Sequence, residues 1–128
     1  MTKTLKSRSR ALRDLDILQV EAVLKAGVVK NVGTNDPGNL TTEYSVLQEV
    51  LGGVSPPVIW AVLSTSVTHA VARNSPILAA LAVGRKGIPG KGFFTCLRNH
   101  GIDVEQGQEE EVWRTLVNRI RATPVRHL

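Results

Sequence analysis

The chain has 128 residues, 42% hydrophobic and 21% charged, which suits one ordinary globular domain with a real core and argues against a disordered chain. Its 16 Lys and Arg against 11 Asp and Glu give a net charge of +5 and a pI near 9.9, a balance that favours polyanionic partners such as nucleic acid. A single cysteine, Cys96, excludes an intramolecular disulfide and a cysteine-based zinc site, and fits a cytoplasmic setting.

Residues 1–10 alternate Lys3, Lys6, Arg8 and Arg10 with Ser and Thr. They hold too few apolar groups to order themselves, so the expectation is a flexible basic arm lying along phosphates, ahead of a single helical domain over 11–128. The arm lacks the apolar segment and cleavage site of a signal peptide, and no apolar run reaches the roughly 20 residues of a membrane span.

Residues 11–26 show a helical period. Leu12, Leu15, Leu18, Ala22 and Val23 share one face, widened by Ile17 and Leu24, and Gly27 is the expected stop. Residues 28–39 carry Gly33, Asn35, Asp36, Pro37 and Gly38 and read as a loop. A second helix is expected over 41–51, capped by a Thr at 41 or 42, with Val46, Leu47, Val50 and Leu51 inward, and closed by Gly52-Gly53. Ser55 suits the N-cap of a third helix and Pro56 its first position, where no amide hydrogen is needed. Val58, Ile59, Val62, Leu63, Val67, Ala70 and Val71 then recur at helical spacing up to Arg73.

Two helices joined by a glycine turn have the spacing of a helix-turn-helix. The second of them has no Lys or Arg before Arg73. From it only Ser64, Thr65, Ser66, Thr68 and His69 could meet base edges, whereas the commonest specific contacts use Arg or Lys. Trp60, near its start, suits the core or an interface.

Asn74-Ser75-Pro76 breaks this helix. Residues 77–83 are a short apolar run that reads as a strand, giving a wing-like strand or hairpin. Gly84, Gly87, Pro89, Gly90 and Gly92 make the next stretch a loop, and its glycines would let backbone amides approach an anion beside Arg85, Lys86 and Lys91. The phosphate-loop pattern is absent, because Gly92 is followed by Phe93, and the glycine spacing is also not that of the dinucleotide fingerprint. A short helix over 93–99 turns Phe93, Phe94 and Leu97 inward, with Arg98 outward, and stops at Gly101 followed by Ile102. Cys96 and His100 lie one turn apart, a spacing that could activate a thiolate, but no third group orients them. The last helix, 109–122, buries Val112, Trp113, Leu116, Val117 and Ile120 and places Glu109, Glu110 and Glu111 at its positive end. His69, His100 and His127 have no metal-ligand spacing, and no metal or other cofactor is expected.

Pro76, Leu78, Leu81, Val83, Lys86, Gly87, Pro89, Gly90, Gly92 and Phe93 together resemble a motif of small bacterial helix-turn-helix-like modules, whose loop reads roughly K-x-G-x-P-G-x-G-F. Such modules occur beside nucleases and in mobile-element or defence settings. The resemblance implies association with nucleic acid or with a protein partner rather than catalysis.

The expectation is therefore a mainly α, winged-helix-like domain that binds nucleic acid, double-stranded DNA in the first instance, without enzymatic activity. Lys3, Lys6, Arg8, Arg10, Arg73, Arg85, Lys86, Lys91 and Arg98 would meet phosphates, and Thr65, Thr68 and His69 would meet bases. The alternative is an assembly subunit that binds a nuclease or self-oligomerises through Trp60 and Trp113. No membrane partner is expected.

Overall fold

The computed structural model describes residues 10–31 and 40–128. The fold is mainly helical, with a two-stranded parallel sheet. Its elements are α1 (Asp14–Lys30), β1 (Thr42–Glu43), α2 (Tyr44–Val50), α3 (Pro56–Arg73), β2 (Ala82–Val83), α4 (Lys91–Asn99) and α5 (Glu109–Ala122), with 3-10 turns at Leu78–Leu81 and Val125–His127. No helix among the described residues is long and apolar enough to cross a membrane.

The centre of the molecule is the segment after α3. Ile77 and the turn Leu78–Leu81, followed by β2, are buried throughout. This plug touches α1, α3 and α5, so the helices pack around it rather than only on one another. The strand expected over 77–83 is cut back to its last two residues, and the alanines explain why. Ala79 and Ala80 fit a tight turn under crowded neighbours, and only Ala82 and Val83 extend. The strand pairs in parallel with β1, Thr42 opposite Ala82 and Glu43 opposite Val83, so the partner comes from upstream and the expected wing is not a hairpin.

α3 starts and stops as its sequence dictates. Ser55 takes the N-cap position ahead of Pro56, though its buried hydroxyl makes no capping bond, and the helix ends where Asn74 takes the left-handed conformation at φ 52°. The short α2 ends at Leu51, and Gly52 and Gly53, both at positive φ, turn the chain into α3. It begins later than its apolar pattern suggested, because Thr42 and Glu43 are taken by β1, and Val46 and Val50 are exposed while Leu47 and Leu51 are buried. α4 closes in a Schellman arrangement: Ile102 N–H donates to Leu97 O and Gly101 N–H to Arg98 O, both at 3.0 Å, with Gly101 at φ 80°.

α1 departs furthest from expectation. It runs through Gly27 to Lys30, and its buried stripe is Ile17, Val20, Leu24 and Val28, leaving Leu12, Leu15 and Leu18 exposed. Gly27 is inside the helix because the Leu40 carbonyl crosses it there; a Cβ would stand 3.2 Å from Leu40 O. The helix start is fixed by Asp16, fully buried, whose Oδ2 accepts the Arg13 N–H at 2.9 Å.

Candidate nucleic-acid interface

The glycine-rich loop between β2 and α4 is shaped by packing. The Tyr44 and Trp60 rings, 5.1 Å apart and tilted, lie beneath it. Gly84 meets the Tyr44 ring, and Gly90 and Gly92 meet Trp60, with a Cβ on Gly90 only 3.2 Å from the indole edge. Three of the glycine amides expected to cradle an anion are occupied. Gly90 N–H donates to the Tyr44 hydroxyl at 2.8 Å, Gly84 N–H to Ile88 O at 3.0 Å, and Gly87 N–H to Gly84 O at 3.1 Å. Burial pushes the Tyr44 phenol up from its ordinary pKa. Arg85 and Lys86 remain exposed on this loop, and no carboxylate pairs with them among the described residues.

The polar groups of α3 divide between two faces. Thr65 donates to Ala61 O at 2.8 Å, and Thr68 donates to Ser64 O at 3.0 Å while standing 2.9 Å from His100 Nε2. Both hydroxyls are thus engaged on their own helix. The other His100 nitrogen lies 2.8 Å from the Cys96 carbonyl and 3.8 Å from Cys96 Sγ, so the close partner of the ring is the carbonyl and not the thiol.

His69 and Arg73, one turn apart, belong to the second face. With Glu21 and Lys25 of α1, and with Ser66, Ser75 and Leu128, they line a cavity of about 100 Å³. That volume suits a single small anion rather than a nucleotide. The register of α1 creates this edge: burying Val20 and Leu24 sets Glu21 and Lys25 against α3. Among the described residues the one carboxylate side chain lining the cavity is Glu21, and the buried Ser66 hydroxyl donates to its Oε2 at 2.6 Å. A further cation reaches the same end of α3, where Arg119 donates to Asn74 O at 2.7 Å. Lys25 carried no signal in the sequence, where it reads as one more solvent-facing charge; only the meeting of α1 with α3 gives it neighbours.

Of the other expected phosphate ligands, Arg98 and Arg10 are committed elsewhere. Arg98 donates to Val104 O at 2.8 Å and pairs with Glu109 at 3.3 Å. The Glu109 carboxyl is held below its usual range by its own helix-start amide, with help from the Gly107 amide and Arg98. Lys91 shares with Arg98 an open groove of about 500 Å³ that also includes Ile88 and Phe94. Arg10 is not free for a phosphate: its guanidinium grips Asp16 with two bonds of 2.6 and 2.9 Å. Asp16 is in turn held far below the carboxylate range, first by Arg10 and then by the side chain and amide of Arg13. Lys3, Lys6 and Arg8 lie outside the described residues. Trp113 is the core residue that the stripe of the last helix indicates, buried and donating to Ala80 O at 2.7 Å, and so is not available for the interface that the alternative reading gave it. Trp60 is half-buried under the glycine loop.

Three comparisons, with family models, with curated proteins and with solved structures, find no match to this chain.

Proposed function

We propose that this protein is a non-enzymatic nucleic-acid-binding module that holds the phosphate backbone, of duplex DNA in the first instance. The observation that carries this reading is the gathering of Lys25, His69 and Arg73 around one small cavity whose lining carboxylate, Glu21, is held by Ser66. Lys25 of α1 and Arg73 of α3 face one space beside the Glu21 carboxylate, an excess of positive charge that neither helix has there alone. The net charge of +5 favours the same class of partner. Arg85, Lys86 and Lys91 supply further exposed positive charge from the glycine loop and the start of α4. The rigid α1–α3 edge positions the phosphate, and sequence preference is weak because Thr65 and Thr68 already have partners.

Fluorescence anisotropy with a labelled duplex tests this. Binding at low salt that weakens steeply as salt rises supports the reading. Absence of binding to duplex and single strands at low salt overturns it.

A further inference from the structure

The face of α1 that points away from the core is apolar. Leu15 and Val29 are 54% exposed and Leu18 63% exposed, with Ala22 and Ala26 exposed between them. These five positions recur at steps of three, four, four and three residues. The mean step is the period of about 3.5 residues of a coiled-coil seam. The order of steps also reads the same in both directions about Ala22.

We infer that this face is a docking surface for a second copy of the chain, the two α1 helices packing antiparallel about a two-fold axis at Ala22. A two-fold interface must be self-complementary, and a palindromic seam meets that condition. Leu15 then faces the partner's Val29, Leu18 faces the partner's Ala26, and the two Ala22 methyls meet at the axis, where small side chains let the helices approach. Bulky residues at one end of each helix thus meet small or branched ones from the other. Charge points the same way. Asp14 is exposed in the first turn of α1 and Lys30 in its last. Antiparallel packing brings each Asp14 to the end of the partner helix that carries Lys30 and opposes the two helix dipoles, whereas parallel packing sets like beside like. One helix pair is a small interface, so the dimer forms reversibly with rising concentration. This inference does not rest on the nucleic-acid reading and is tested without nucleic acid.

Sedimentation across the micromolar range reads the association directly. The wild-type chain is expected to shift from monomer to dimer. Leu18→Glu, at an exposed position that leaves the core intact, is expected to raise the apparent dissociation constant about tenfold or more. Cysteine pairs in a Cys96→Ser background fix the orientation. A mixture of Leu15→Cys and Val29→Cys chains is expected to cross-link on mild oxidation as the mixed dimer, while Leu15→Cys alone is not. A chain that stays monomeric at every concentration overturns the inference. So does a dimer that persists in Leu18→Glu, or one in which Leu15→Cys cross-links to itself.

Discussion

Tyr44 and Gly90 show how much of the glycine loop is held by single atoms. The Tyr44 hydroxyl accepts the Gly90 amide at 2.8 Å, and the loop rests on Trp60 so closely that a Cβ at Gly90 would stand 3.2 Å from the indole. Tyr44→Phe leaves that amide without its partner and is expected to cost about 1–2 kcal/mol in chemical denaturation. An unchanged midpoint would show that the hydroxyl does not hold the loop. Asp16 governs the acid limb of stability. Its folded-state pKa lies below that of the unfolded chain, so its contribution is complete above the ordinary carboxylate range and drains away as pH falls toward the folded value. Asp16→Asn is therefore expected to melt below the wild type at neutral pH, with the gap closing in acid; a gap constant with pH would contradict the role given to the Arg10–Asp16 pair. Neither feature could be read in advance. The sequence marks Gly90 as a turn residue, but not that an aromatic 46 positions away would meet it, nor that an arginine six positions away would grip Asp16.

Among the elements, α3, α4 and α5 were legible because each carries its own punctuation. Ser55-Pro56 opens α3, Gly101-Ile102 closes α4, and three glutamates open α5. α1 was legible as a helix but not in its rotation. Both of its faces are apolar, and periodicity cannot decide which of two such faces meets the core. Gly27 misled for a related reason, since the Leu40 backbone passes over it and makes the small residue a matter of clearance rather than termination. The plug around Leu78–Leu81 defied a simple strand reading because burial on every side removes alternation. Its importance is testable at Leu81, which is fully buried. Leu81→Ala is expected to cost about 2–5 kcal/mol, read from the denaturation midpoint. A loss well under 1 kcal/mol would show that the helices hold together without the plug.

For the whole molecule, the balance of charge was visible from composition, but its distribution was not. Folding withdraws Arg10 and Arg98 into ion pairs, leaves Arg85 and Lys86 on the loop, and joins Lys25 to His69 and Arg73 across two helices. The proposed function depends on that last grouping. The most direct test is the salt dependence of duplex binding for the wild type and for Lys25→Ala/Arg73→Ala, whose two positions lie outside the buried core. If these side chains neutralise phosphates, the double variant binds more weakly, and the slope of log K against log salt becomes shallower by about 0.9 for each phosphate left unneutralised. A double variant that binds with the wild-type affinity and slope would contradict the account.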